Sequence, residues 1–152
     1  MKLKLIHGHG EIRKISDQVK KAFKILDGKS LVGVKDSRLI CNKMNDLGFE
    51  EETSSGIAFI GETQVIKCGL LTRRPPPRHH RVPTLIYAYE NITPTQWEWD
   101  TVVLIQPKVD NDFEFNDEGL VKAMKVFDRL SGCDSHQGNI GMYKGKFKLF
   151  DW

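Results

Sequence analysis

The sequence predicts an α+β fold in which helices flank an antiparallel sheet, and three patterns lead to that prediction. Residues 11–26 and 117–131 place apolar side chains at steps of three and four, as amphipathic helices do. Residues 57–105 contain short runs of β-branched and aromatic residues separated by turn formers. Two apolar runs flank Lys144 and Gly145, which predicts a closing hairpin. Helices and strands lie in separate blocks, which is typical of α+β proteins.

Each element follows from a local pattern. The first helix is predicted over residues 11–26 and ends at Asp27-Gly28 because glycine commonly terminates helices, while a weaker helical pattern covers residues 36–46. The predicted strands cover residues 57–60, 63–68, 84–89, 101–105, 140–143 and 146–150. This order predicts three segments: a helical N-terminal extension (1–46), an antiparallel sheet (47–109) and a smaller C-terminal part (110–152).

The composition limits the class of protein. With 152 residues, of which 39% are hydrophobic, the chain can form one compact domain or two small lobes. The net charge of +3 gives no strong nucleic-acid signal, because proteins that bind nucleic acid usually concentrate basic residues on one face. The 3 scattered cysteines suit a reducing cytosol better than a disulfide framework. Since no apolar run reaches the length of a membrane span, we expect a soluble cytoplasmic protein.

One segment departs from the average composition. Residues 72–81, TRRPPPRHHR, contain three consecutive prolines, which exclude helix and sheet interior and predict an extended, exposed link. The arginines and histidines in it are candidates for contacts with RNA or an acidic partner. The simpler interpretation is a solvated loop that proline keeps extended.

The C-terminal part carries the residues with the clearest chemistry. Phosphoryl transfer needs a carboxylate that accepts the proton of the attacking hydroxyl, and oxygen ligands that hold Mg²⁺ against the nucleotide phosphates. Asp134 can fill the first role, and Asn139 with Asp151 the second, because oxygen donors suit this hard ion. The predicted hairpin returns the chain so that Asp151 comes back beside Asn139. The alternative is an ordinary Asx-rich turn followed by an acidic residue.

This segment also resembles a known family. Residues 134–152, DSHQGNIGMYKGKFKLFDW, are similar to the D-x-H-x-G-N…D-W segment of aminoglycoside phosphotransferases and other kinase-like enzymes, and most similar to phage-encoded serine/threonine kinases of the host-shutoff kind. The resemblance implies a minimal protein-kinase-like fold, with a sheet lobe and a reduced C-terminal lobe. It implies ATP and Mg²⁺ as cofactors, Asp134 as catalytic base, and Asn139 and Asp151 as metal ligands. The implied partner is a protein substrate or a host protein target.

The upstream half resembles a kinase N-lobe. In residues 48–69, GFEEETSSGIAFIGETQVIKCG, the resemblance makes Ser54, Ser55 and Gly56 the loop over the phosphates. It makes Lys67 the phosphate-pairing lysine of the third strand. Residues 101–107, TVVLIQP, resemble the strand that leads to the hinge, whose backbone amides would receive adenine, and this makes Gln106 a candidate nucleotide contact.

Three departures from the family leave the function open. Gly132 stands where most kinases have a histidine, and no acidic residue lies between Lys67 and Thr84 to provide the usual αC glutamate. We expect the first helix to pack on the sheet in place of αC, with Glu11 or Asp17 as the substitute carboxylate. We also expect no activation segment, because the 152 residues contain no counterpart of it. The chain is therefore either an active phosphotransferase or a catalytically inactive kinase-fold binding module, such as a host-protein inhibitor or a virion component.

Overall fold

In the computed structural model the chain forms two compact units, each made of two stretches of sequence. The first unit comprises Met1–Thr72 and Pro83–Lys108, and the second comprises Arg73–Val82 and Val109–Trp152. The structure describes residues 2–8, 14–53, 56–71, 77–89, 99–111, 117–129 and 139–150. In these ranges no helix has the length and apolar character that crossing a bilayer requires.

The first unit is built on a six-stranded antiparallel sheet, which confirms the predicted α+β class. Its strands are β1 (Lys4–His7), β2 (Glu50–Thr53), β3 (Ile57–Ile60), β4 (Gln64–Leu71), β5 (Leu85–Ala88) and β6 (Trp99–Pro107). The order across the sheet is β1-β5-β6-β4-β3-β2, so the two longest strands, β4 and β6, lie at its centre. β1 lies in the segment predicted to be helical, and instead it pairs with β5 as an edge strand.

The pairing of β4 with β6 sets the two faces of this sheet. Ile66 lies opposite Ile105, and both are buried against the helices α1 (Asp17–Leu26) and α2 (Arg38–Asp46). Because side chains alternate along a strand, Lys67 and its partner Leu104 lie on the other face. The buried helix residues on the first face are Val19, Ala22, Leu26, Ile40, Cys41 and Met44.

Side-chain amides tie the start of α1 to the turn between β3 and β4. Helix α1 begins after Ser16, whose hydroxyl accepts from the Val19 amide at 3.2 Å; residues 11–13 of the predicted helix lie outside the described part. The Ser16 amide in turn donates to Gln64 Oε1 at 2.8 Å. Gln18 accepts from the Glu62 amide at 2.9 Å and donates to the Leu47 carbonyl at 3.0 Å. A side chain at Gly61 would come within 2.6 Å of Gln18 Oε1, so this turn needs glycine.

A tyrosine from the end of β5 caps the other end of α1. The helix stops at Leu26, as predicted, and Gly28 adopts a left-handed φ of 77°. The Tyr89 hydroxyl accepts from the Lys29 amide at 3.1 Å and lies 2.6 Å from the Leu26 carbonyl, to which it can donate. The Lys29 amide also donates to the Leu26 carbonyl at 3.0 Å, so the hydroxyl joins the turn that closes the helix end.

Tyr89→Phe should therefore lower the free energy of unfolding by about 1 kcal/mol, because it removes these hydrogen bonds and keeps the ring. Tyr87→Phe is the matched control. The Tyr87 ring contacts Phe23 edge-on at 4.8 Å, and no hydrogen bond to its hydroxyl is found in the described part of the chain. Urea denaturation of the three proteins measures the difference. Equal effects of the two substitutions would show that Tyr89 does not cap the helix.

The second unit packs one helix on a two-stranded hairpin. Helix α3 (Glu118–Phe127) is shorter than predicted, with Asp128 as its C-cap, while β7 (Ile140–Tyr143) and β8 (Lys146–Leu149) form the predicted hairpin. Lys144 and Gly145 form its two-residue turn, with positive φ of 48° and 78°. The core consists of Leu120, Phe127, Ile140 and Leu149, with Ala123, Met124 and Phe147 packed against it.

Candidate functional site

The open end of the β7–β8 hairpin carries the first part of the candidate site. Ile140 pairs with Leu149, and the Phe150 amide donates to the Asn139 carbonyl at 2.9 Å. Asn139 is buried, with 8% of its surface exposed. Asp151 is the next residue in sequence after Phe150, but Asp151 and Asp134 lie outside the described residues. Of the predicted catalytic and metal-binding set, the structure therefore describes Asn139.

Packing against α3 and Val109 holds the hairpin backbone in place. Ile140 and Leu149 are fully buried in the core of the second unit with Leu120 of α3. On the other face of the hairpin, a side chain at Gly141 would overlap Val109 and come within 3.1 Å of the Phe150 ring. This close approach needs glycine, and it fixes the backbone just after Asn139.

Lys67 lies on the sheet face opposite to the helices. It is half-buried, and its neighbours across the strands are Ala58 and Leu104. Helix α1 packs on the sheet as expected, but it covers the other face. The expectation that Asp17 provides a carboxylate to Lys67 is therefore wrong: Asp17 is exposed, and it lies 3.8 Å from Lys20. Glu11, the other candidate, lies outside the described residues.

Of the other residues predicted to contact the nucleotide, the structure describes Gly56 and Gln106. Gly56 is half-buried just before β3, whereas Ser54 and Ser55 lie outside the described part. Gln106 is 1% exposed, and its Nε2 atom donates to Thr84 Oγ1 at 3.2 Å. The Gln106 side chain is therefore held inside the first unit, so a role in adenine binding would involve its backbone.

No family model, curated protein or solved structure matches the chain. Among the residues that the structure describes, no three His, Cys, Asp or Glu side chains are grouped as ligands for a metal ion. Asp134 and Asp151, two of the three residues predicted as catalytic base and metal ligands, lie outside that part of the chain.

Sequence reasoning missed Arg81, which it assigned to the exposed proline-rich link. Residues Arg78–His80 form a 3₁₀ turn, and Arg81 is 4% exposed beside Leu149, with which it forms a parallel bridge. Burial lowers the pKa of the Arg81 guanidinium, and the charge of Arg78 lowers it further. In the sequence, the only indication that Arg81 is buried is the apolar residue Val82, which follows four basic side chains.

His80 is also part of this segment and is not a solvated loop residue. Its ring contacts Phe127 edge-on, with centroids 5.6 Å apart. Burial lowers the pKa of His80, and the neighbouring His79 and Lys148 lower it further. These effects favour the neutral imidazole, which suits a ring packed on an apolar core.

Two cysteines lie near the helix face of the first unit and are buried. Cys41 is fully buried and Cys68 is 4% exposed. Burial raises the pKa of Cys68 to about 12, with a further contribution from Cys41. Burial also raises the pKa of Cys41, which the neighbouring Glu51 reinforces. The thiol forms therefore dominate at neutral pH, and neither residue suits nucleophilic catalysis.

We expect Cys41 and Cys68 to resist alkylation in the native protein at pH 8, because both thiols are inaccessible and protonated. Iodoacetamide should label both in guanidinium chloride, where burial is lost. Mass spectrometry of the tryptic peptides distinguishes the sites. Labelling of either residue in the native protein at the rate of a free thiol would contradict the buried arrangement.

Proposed function

We propose that the chain is an ATP-dependent phosphotransferase of the minimal, phage-type serine/threonine kinase kind. The observation that carries the proposal is the closure of the β7–β8 hairpin, in which the Phe150 amide bonds to the Asn139 carbonyl at 2.9 Å. This closure returns the chain to Asn139 immediately before Asp151, as the resemblance requires. Asparagine and aspartate oxygens also form the donor set that Mg²⁺ prefers.

In this proposal each residue has a separate role. The Asp134 carboxylate accepts the proton of a serine or threonine hydroxyl while the hydroxyl oxygen bonds to the γ-phosphorus and the bond to ADP breaks. Asn139 and Asp151 hold Mg²⁺, which when bound neutralises charge on the phosphates. Lys67 contacts the phosphates; its partly buried stem is supported by Leu104 in the neighbouring strand. The substrate class, a protein hydroxyl, comes from the resemblance alone.

One observation favours a second candidate, a catalytically inactive kinase-fold module that acts by binding a host protein or as a virion component. Active protein kinases need an ion pair between the strand lysine and a helix glutamate. Here the described helices α1 and α2 pack on the face of the sheet that Lys67 does not share. Preserved nucleotide binding without phosphate transfer would fit this candidate.

Two asparagine substitutions separate the roles of the carboxylates. Asp134→Asn should lower the rate of phosphate transfer by about 10²–10⁴-fold and leave nucleotide binding intact, because the base is lost but the metal ligands remain. Asp151→Asn should weaken Mg²⁺-ATP binding, because a charged ligand becomes neutral. Transfer from labelled ATP to host extract and thermal melting with and without Mg²⁺-ATP measure the two properties.

Wild-type protein should gain about 2.7 kcal/mol of stability at a ligand concentration 100-fold above Kd. Asp134→Asn should keep this gain and Asp151→Asn should lose it. If the wild type neither transfers phosphate nor responds to Mg²⁺-ATP, with or without extract, the phosphotransferase proposal is wrong. If it responds but transfers nothing, the binding module is the better description.

Lys67→Met tests the phosphate contact without removing the apolar stem of the side chain. We expect the Mg²⁺-ATP-induced increase in melting temperature to disappear, because the cationic end is lost while the apolar stem remains. Lys43→Met, on the exposed side of α2, is the matched control. The same loss of nucleotide response in both variants would exclude a specific role for Lys67.

A further inference from the structure

Basic residues are concentrated on the β7–β8 hairpin. The ten residues 140–149 contain three lysines and no acidic residue. In β8, Phe147 packs against the core and Leu149 is buried in it, so Lys146 and Lys148 lie on the opposite face. We call Tyr143, Lys144, Lys146 and Lys148 the basic hairpin surface.

Tyr143 gives this surface an aromatic group next to its cations. It lies directly across from Lys146 in the hairpin register and is half-buried. The Nζ atom of Lys144 lies 5.4 Å from the centroid of the Tyr143 ring. Lys144 also adopts a φ of 48°, a conformation in which asparagine or glycine is preferred. A lysine at this turn position is explained better by its charge than by backbone stability.

The 3₁₀ turn Arg78–His80 adds to the positive charge along the edge of β8. The Val82 amide donates to the Leu149 carbonyl at 2.9 Å, which places this segment beside the strand. Arg78 and His79 are exposed, and the rings of His79 and His80 lie 3.9 Å apart. Residues 77–82 contain no acidic residue.

The acidic residues described in the second unit belong to other parts of it. Asp117 caps α3 by accepting from the Leu120 amide at 3.0 Å, and Glu118 is in the first turn of that helix. Asp128 is at the C-terminal cap of α3. The Asp110 backbone pairs with Met142 in β7, on the edge that does not face β8. The basic hairpin surface itself therefore has no acidic member.

We propose that the basic hairpin surface binds single-stranded nucleic acid. Lysines that alternate along β8 lie about 7 Å apart and can follow a flexible phosphate backbone, while Tyr143 offers a ring on which a base can stack. An acidic peptide would use the cations but would leave the tyrosine without a role, so the aromatic group favours a nucleic acid. The proposal does not depend on phosphate transfer and involves only described residues of the second unit.

Fluorescence anisotropy of the full chain with a labelled 12-nucleotide oligouridine, and with the matching deoxyoligonucleotide, tests this proposal. The apparent affinity should fall linearly with salt on a logarithmic plot, with a slope of about −0.7 for each phosphate neutralised. Lys146→Gln combined with Lys148→Gln should make that slope less negative by about 1.4. Lys21→Gln combined with Lys24→Gln, on the exposed side of α1, makes the same charge change and should leave the slope unchanged.

Substitutions of Tyr143 test the stacking contact separately. Tyr143→Ala should weaken binding by about tenfold or more, whereas Tyr143→Phe should bind like the wild type. Thermal melting shows whether each variant is folded. No binding by the wild type at 20 mM salt, or equal effects of the two double lysine variants, would overturn the proposal. A labelled acidic peptide that binds in place of the oligonucleotides, and loses affinity in the Lys146/Lys148 variant, would also overturn it.

Discussion

The register between β4 and β6 is the constraint on which the first unit depends. It places Ile66 opposite Ile105 on the helix face, and Lys67 opposite Leu104 on the other. Since side chains alternate, a shift of one residue would move the apolar set away from the helices and bring the lysine beneath them. β3 pairs with β4 and β5 with β6, so this central pair carries the next strand on each side. The apolar stripes of α1 and α2 then have one face on which to pack.

Features fixed by neighbouring residues could be predicted from the sequence, and features fixed by distant pairing could not. The β7–β8 hairpin and the end of α1 depend on local turn residues such as Gly145 and Gly28. β1 and β2 were missed because these edge strands are stabilised by their partners rather than by β-propensity; β2 contains three consecutive glutamates. For the candidate site, the length of the predicted hairpin was sufficient to predict that Phe150 returns to Asn139. The face occupied by Lys67 depends on β6, which follows much later in the chain.

The net charge of the chain hides how its charges are arranged. β2 contains three glutamates and the β7–β8 hairpin three lysines, so their charges cancel in a count over all residues. At an edge of the sheet, the β2 glutamates have a physical benefit. An edge strand presents unpaired backbone groups that could join another sheet, and the exposed charges of Glu50 and Glu52 oppose that pairing with a second copy, while Glu51 pairs with Arg38 at 2.9 Å.

The pairing of Val82 with Leu149 has a consequence for synthesis of the protein. The chain enters the second unit at Arg73, leaves it after Val82, and returns at Val109. During translation, residues 73–82 therefore emerge long before β8 exists, and a ribosome that adds about 5–20 residues per second leaves them without their final partner for several seconds. Pro75, Pro76 and Pro77 have no backbone N–H to donate, so other strands of the nascent chain cannot form regular backbone pairing with this segment. The prolines thus disfavour non-native strand pairing by this segment until Leu149 has been made.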